Sequence, residues 1–521
     1  MTPTLRMTRL ENDMKPDRPI IFTNQPWTCV SLRNLVLSFA LFGLAGCAVG
    51  PNFVSPTAPT VVQYTTTPPV NQTVSATVDL GNSQTIMLGA VVDAQWWRSF
   101  ESDELNTLIE QAYKTSPTLA SAQAKLREAQ ELLIAYAGSA QLPQVLGSAG
   151  AQRQQTSQSS QGLTGDNRQY SLYNASVAVY YNLDVAGGIA RQVEALSARV
   201  DLRQYELQAA ELTLAGNITS TAIMRARLAS QYAATAQILK SQDEQLRLAN
   251  QRVRLGHASP DEALSLKAQA EQTRSQLPGI QKQIQQADHL LAVLAGQAPG
   301  AGNIPNFTLS DFSLPSELPL VIPSQLVRQR PDIAASEALM KVANAEYGVA
   351  LSRMYPQLTI SASTTTQALT TGALFGPGSA VWVLLGQLTQ PLFNAGLPAE
   401  SRAALAAFDA SAANYQNVVL QSLREVADSL RAIENDAQAL AAIAAADAAA
   451  QGSVRSTQRR FDLGAASSLE LLVIQQQAEQ IRIQRVAAQA QRLSDSLALY
   501  LAIGGGVEQS EPPVTVNQSQ D

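Results

Sequence analysis

The chain is poor in the side chains that usually carry chemistry. Only two cysteines, Cys29 and Cys47, and two histidines, His257 and His289, occur in 521 residues. That is too few for a disulfide framework, and no Cys/His spacing of a zinc site occurs. No phosphate-cradling Gly-rich loop of the Walker type appears either. No catalytic constellation can be assembled, so the reading is not an enzyme, with no metal and no catalytic residue. Charged residues are only 15% of the chain, and acidic residues outnumber basic ones by 42 to 36. This leaves no basic patch of the kind a nucleic-acid binder needs. After residue 46 no apolar run is long enough for a membrane-spanning helix, which takes roughly 20 residues. Any membrane crossing must then use β-strands, whose signal per segment is weaker. Proline is absent from Gly188 to Ser259 and again from Ala399 to Glu511.

What is present begins at the front. Arg33 precedes the apolar stretch Leu35–Leu44, which ends in Leu44-Ala45-Gly46-Cys47. A basic residue, about ten apolar residues and small residues before a cleavage point form a secretory signal, here residues 1–46. A Cys directly after Leu-Ala-Gly resembles the bacterial lipobox, in which the Cys becomes the lipidated first residue. A chance Cys after an ordinary signal is the plainer alternative. Ala48, where an Asp would favour inner-membrane retention, points to outer-membrane sorting. Glu11, Asp13 and Asp17 suit a signal n-region poorly, and a translation start near Val30 is the expectation. With Cys47 lipidated the remaining chain has no thiol. Without the five basic and three acidic residues before it, the balance is 31 to 39, a net charge of −8.

The rest reads as two copies of one plan. Arg252-Val253-Arg254-Leu255-Gly256-His257-Ala258-Ser259 parallels Arg460-Phe461-Asp462-Leu463-Gly464-Ala465-Ala466-Ser467 at an offset of 208. The same offset pairs Gly188 with Gly396, Glu262 with Glu470, Leu264 with Leu472 and Gly296 with Gly504. Pro143-Gln144 and Pro356-Gln357 correspond at 213, and Pro117 and Pro331 at 214. Ordered self-similarity over this distance predicts a duplication of about 200 residues. The expected organisation is a lipidated segment 47–100, a first repeat 101–296, an equatorial linker 297–322, a second repeat 323–506 and a polar tail 507–521.

Each repeat predicts a helix, two strands and a very long helical hairpin. The first helix spans about Ser102–Gln141, with a restart at Ser116-Pro117. Its counterpart spans about Ser324–Met354, around Pro331. A helix from Gly188 to Leu255 would be about 100 Å long at 1.5 Å per residue. Gly256 and Gly464 suit left-handed helix ends. Ser259 and Ser467 (or Ser468) suit the caps of the returning helices. Between helices, Tyr173, Ala175, Val177, Val179, Tyr181 and Leu183 alternate with Asn174, Ser176, Ala178 and Tyr180. About eleven alternating residues with aromatics at both ends match a tilted membrane strand; a strand of a soluble sandwich is the alternative. Leu358, Ile360 and Ala362 alternate with Thr359, Ser361 and Ser363. Ala380–Thr389 reads as a strand whose apolar face is ambiguous. Four strands cannot close a barrel, and open edges are not tolerated in lipid, so other subunits must complete it.

Three stretches make the chain resemble the outer-membrane factor family, the TolC-like and NodT-type efflux lipoproteins. They are Cys47-Ala48-Val49-Gly50-Pro51-Asn52-Phe53, then Trp96-Trp97 through Phe100 and Leu105, and finally Pro323-Ser324, Arg330-Pro331-Asp332-Ile333, Ala343-Asn344-Ala345 and Pro356-Gln357-Leu358. The resemblance covers nearly all of residues 47–506. It implies an α+β membrane protein, a homotrimer with a 12-stranded β-barrel, four strands per protomer, continued by a long α-helical periplasmic barrel. It implies an outer-membrane exit channel of a tripartite pump of the resistance-nodulation-division type, with a periplasmic adaptor protein, an inner-membrane pump and outer-membrane lipid as partners. The duct of a type I protein secretion system is the alternative within the family; a periplasmic coiled-coil scaffold is the one outside it. By the same resemblance the turns Leu255, Gly256, Ala258, Ser259 and Leu463, Gly464, Ala466, Ser467 form the adaptor-docking tip, beyond their capping role. Glu262 and Glu470 align with carboxylates that line the closed aperture, and Leu463 and Leu469 are apolar gate candidates. Helix-start acids that merely complement the dipole are the simpler reading. A second acidic ring would align with Val473, and the Arg of the family's best-known lock with Ala466, so neither is expected here. No cofactor is implied beyond the lipid on Cys47.

Overall fold

Alanine- and leucine-rich stretches without proline become helices of unusual length. In the computed structural model, residues 48–157, 162, 164 and 166–506 are described. Residues 1–47, and with them the signal and Cys47, lie outside the described residues, as does the tail 507–521. The helices are α1 (Asp103–Thr115), α2 (Pro117–Ala140), α3 (Gly188–Arg254), α4 (Pro260–Leu294), α5 (Pro323–Gln329), α6 (Pro331–Ser352), α7 (Gly396–Asp462) and α8 (Ser468–Ala502). The strands are β1 (Thr85–Leu88), β2 (Gln144–Thr156), β3 (Arg168–Leu183), β4 (Glu317–Leu320), β5 (Gln357–Ala368) and β6 (Ala380–Thr389). No described helix is long and apolar enough to cross a membrane.

α3 and α7 are each 67 residues long, and α4 and α8 each 35. All four bounds differ by the offset of 208 read from the sequence. Ser116 and Arg330, each before a proline, are extended at ψ 120° and 125°, which splits α1 from α2 and α5 from α6. Steric conflict with the proline ring keeps the preceding residue out of the helical region. Pro278 is carried inside α4, where Ile280, Ile284, Ala287 and Leu291 hold the following turns by burial.

β2, β3, β5 and β6 form one antiparallel sheet in that order. Its register settles the face of β6. Val179 lies opposite Val145 and Ala362, Tyr181 opposite Ile360, and Leu183 opposite Leu358. Leu358 in turn faces Leu388, and Ala362 faces Leu384. Paired residues share a face. The apolar face therefore takes Trp382, Leu384 and Leu388, while Val381, Val383 and Leu385 share the other face with Ser361, Ser363 and Thr365. Among the described residues the outer edges of β2 and β6 have no partner. Each strand continues through a short linker into a helix, α2 into β2, β3 into α3, α6 into β5 and β6 into α7.

Midway along the long helices lies the main core. Trp96 stacks on Tyr500 with ring centres 5.7 Å apart and meets Trp97 edge-on. Around them pack Phe100, Ile109, Ile218, Ile223, Leu430 and Leu493. Gly216 lets α3 come close to α8, since a Cβ there would stand 2.8 Å from the Leu501 side chain. The parallel pair β1–β4 flanks this core, with Thr85 opposite Glu317. Buried arginines tie the non-helical chain to the helices. Arg492, 2% exposed, donates to the carbonyls of Leu80 (3.0 Å) and Asn82 (2.9 Å) and to Gln84 Oε1 (3.0 Å). Arg225 holds Asp288, Phe307 O and Asn306 in the same manner.

One turn beyond Arg492, Asp495 is 5% exposed, and its Oδ2 lacks a hydrogen-bond donor. Burial, then the neighbouring Asp436 carboxylate, push Asp495 up to about 7, against the pull of Gln491 and Arg492. The folded chain thus keeps a proton that the unfolded chain releases near pH 4, and stability falls as pH rises through 7. Between pH 5 and pH 8 this carboxyl, facing Asp436, is expected to lower stability as pH rises. Thermal unfolding of the detergent-solubilised protein checks it. Asp495→Asn should abolish this part of the slope, and coincident profiles of variant and wild type would refute the assignment.

Candidate functional site at the tip and the rim

The tip is built twice by the same local chemistry. α3 ends where Gly256 takes φ +72°, and α7 where Gly464 takes φ +73°. A glycine adopts this left-handed region without the steric cost of a Cβ. The freed carbonyls are then recaptured. Gly256 N donates to Val253 O (3.0 Å) and His257 N to Arg252 O (2.8 Å). In the second turn Gly464 N donates to Phe461 O (2.9 Å) and Ala465 N to Arg460 O (2.7 Å). The return helices start on serine caps. Ser259 Oγ accepts from Asp261 N at 3.2 Å, and Ser467 Oγ from Glu470 N at 3.1 Å. Ser468, the other candidate, is instead the first residue of α8. Ala258 and Ala466 are half-buried.

Apolar side chains stand out from these turns. Leu463 is 84% exposed, Leu255 64% and Leu469 62%. Between the two hairpins, just above the turns, runs a groove of about 420 Å³ bordered by Gln245, Leu248, Leu266, Phe461 and Leu471. Ala249, Ala263, Leu266 and Leu472 pack beside it and join the hairpins.

Glu262 and Glu470 lie in the first turns of α4 and α8, as read from the sequence. Neither is bare. Arg460 Nη1 stands 2.7 Å from Glu470 Oε1, and Arg252 Nη1 3.7 Å from Glu262 Oε1. Glu262 also accepts a hydrogen bond from Ser468 Oγ, across from one hairpin to the other. The sequence reading gave these carboxylates no basic partners. The partners sit ten residues upstream, brought round by the turn, a spacing that no helical-face rule flags. His257 is exposed at its turn, and among the described residues no group of side chains suits a metal ion.

At the opposite end, the segment that follows Cys47 is docked on the junction of sheet and helices. Val49 N donates to Ala186 O at 3.0 Å. Arg191, in the first turn of α3 and 4% exposed, donates to Val49 O (3.2 Å), Gly50 O (3.0 Å) and Asn52 Oδ1 (2.9 Å). Asn344 of α6 donates to Pro51 O at 3.0 Å. Gly187, at φ +71°, leaves the room that Ala48 fills, since a Cβ there would lie 2.3 Å from Ala48 Cα. Arg191 and this docking were not singled out from the sequence, although Asn344 and Val49-Gly50-Pro51-Asn52 were.

A four-stranded sheet with one apolar face stands directly on two 67-residue helices. The profile of the outer membrane efflux protein family matches residues 108–297 and 322–505. The chain belongs to this family. It is 29% identical over 419 residues to the pyoverdine export outer membrane protein OpmQ of Pseudomonas aeruginosa, an alignment covering 79% of this chain and 87% of that protein. It is 26% identical over 475 residues to the toluene efflux pump outer membrane protein TtgC of Pseudomonas putida, covering 91% and 95%. The crystal structure of the outer membrane protein VceC from Vibrio cholerae matches at a TM-score of 0.75 and 26% identity, over 80% of this chain and 99% of that one. This outer membrane efflux protein is therefore an outer-membrane component of an efflux system, in a family of channels rather than enzymes.

Proposed function

We propose that three copies of this outer membrane efflux protein close edge to edge into a 12-stranded barrel, β6 of each against β2 of the next. Their helices continue as a duct into the periplasm. The observation that carries this reading is the four-stranded sheet, apolar on one face and unpaired at both edges among the described residues, with every strand running into a helix. Such edges need partners in lipid. The two hairpins are the products of a duplication, with units 101–296 and 323–506 joined by 297–322; their equal lengths and constant offset support it. Cys47 carries the lipid, which the docking of Ala48–Asn52 beside the sheet would hold at membrane level. The exposed leucines and the groove of the tip dock the hairpin of a periplasmic adaptor, and Glu262 and Glu470 line the aperture.

The assembly serves as the exit channel of a tripartite pump of the resistance-nodulation-division type and conducts small toxic compounds outward. OpmQ and TtgC are named for pyoverdine export and toluene efflux, and this favours small cargo over a secreted protein. Deletion of the gene, followed by a drug, solvent and metal susceptibility panel, tests the function. The expected result is hypersensitivity to at least one small compound, reversed by the wild-type gene. Unchanged sensitivity with loss of one secreted protein would favour the type I alternative. In the same strains, labelled palmitate should mark the wild type and leave Cys47→Ser unmarked.

A further inference from the structure

Both tip turns are electrically balanced. From Arg252 to Glu262 the charged side chains are Arg252, Arg254, Asp261 and Glu262; from Arg459 to Glu470 they are Arg459, Arg460, Asp462 and Glu470. Each turn therefore has two guanidinium groups and two carboxylates. The geometry pairs them where it matters. Arg460 bonds Glu470 through Nη1 at 2.7 Å and the turn carbonyl of Ala465 through Nη2 at 3.2 Å. Arg252 stands 3.7 Å from Glu262 and reaches the turn carbonyl of His257 through Nη2 at 3.5 Å. Each guanidinium thus bridges the end of one helix, the loop and the start of the next. The carbonyl contact keeps the positive charge beside the carboxylate. Such pairs, about half exposed, add little to stability in water. Their electrostatic effect does not depend on that strength, because an adjacent opposite charge cancels the field a few ångströms away.

We propose that Arg252 and Arg460 are selectivity-determining residues of the tip, holding Glu262 and Glu470 as compensated pairs so that the aperture passes anionic and cationic solutes alike. This rests on the trimeric duct proposed above, in which the turns of three protomers surround the pore. A ring of bare carboxylates would favour cations strongly and repel anions. Six compensated pairs would do neither, which suits a duct that takes cargo of either sign from its pump.

The test is the reversal potential of the full-length purified protein in planar lipid bilayers under a KCl gradient. Wild-type trimers are expected to show a cation-to-anion permeability ratio within about twofold of unity. Arg252→Gln with Arg460→Gln should raise that ratio by about fivefold or more, through exposed carboxylates. Glu262→Gln with Glu470→Gln should lower it below unity, testing the same compensation from the other side. Arg252→Lys with Arg460→Lys keeps the charge and should stay near the wild type. Conducting Gln variants with the wild-type ratio, or a wild type already strongly cation-selective, would overturn the proposal and leave the duct intact. Wild-type protein that forms no heat-modifiable trimer and inserts no pore would overturn the duct and this proposal with it.

Discussion

Arginine at Leu384 is expected to prevent assembly of a heat-stable trimer, whereas arginine at Leu385 is tolerated. The two residues are neighbours on the same edge strand and are similarly apolar. Only the register separates them. Leu384 faces Ala362 on the side that carries Val179, Tyr181 and Leu388, and Leu385 faces Ser361 on the side that carries Ser363 and Thr365. If the first side meets lipid, a buried arginine there costs about 2–4 kcal/mol near the bilayer midplane, once in every protomer. On the second side it would point into an aqueous lumen and cost far less. Outer-membrane fractions run with and without heating read the outcome, as a slow band that appears only unheated. Equal tolerance of the two variants would show that the apolar side of the sheet does not face the membrane.

The second large effect is expected at the centre of the molecule. Arg492→Ala should destabilise the fold by about 3–5 kcal/mol, the range for removing one partner from a buried charged network. The guanidinium satisfies two carbonyls, Leu80 O and Asn82 O, and the side-chain oxygen of Gln84, all from one non-helical segment. Without it the buried Gln84 oxygen and the two carbonyls lose their donor, and among the described residues the segment 73–84 is hydrogen-bonded to α8 only through Gln84 with Ser496 and Gln489 with Asp79 O. Lysine should not rescue, because one ammonium cannot span acceptors that a planar fork reaches together. Thermal unfolding in detergent gives the magnitude. Limited proteolysis locates it: new cleavage is expected between Thr73 and Gln84. A variant that melts with the wild type and resists cleavage would show that the segment is held by other contacts.

These residues also mark how much was legible beforehand. The long helices could be bounded to within a residue because their limits are local chemistry. Gly256 and Gly464 end them, and Ser259 and Ser467 start the next. The strands were legible as segments but not as a sheet. Leu384 and Leu385 differ only through a partner strand, and β6 by itself is apolar on both sides. β1 and β4 escaped notice, since four residues each give no period and they pair across more than 200 residues of chain. Arg492 reads as an ordinary polar position of an amphipathic helix, because its acceptors lie about 410 residues away in sequence. Arg252 and Arg460 stood in the repeated motif from the start. Their partners became visible only when the turn folded back, which is why the two carboxylates read as unpaired in sequence and are compensated in structure.

The position of the main core has a mechanical consequence. Its contacts on α3 stop near Ala226 and on α7 near Ile433. From there to the tip each helix runs about 28 further residues, or roughly 40 Å at 1.5 Å per residue. The aromatic cluster of Trp96, Trp97 and Tyr500 thus sits at the fulcrum of a long lever. A tilt of about 10° at the fulcrum would carry the end of a roughly 40 Å arm sideways by about 7 Å. In the proposed trimer, three such levers, each long helix bending gently at the fulcrum, could change a closed aperture into a wide one while the sheet stays in place. The work of opening would then fall on contacts that join the hairpins near their ends, among them Glu262 with Ser468, Gln245 with Gln475, and Leu472 with Ala249 and Ala263.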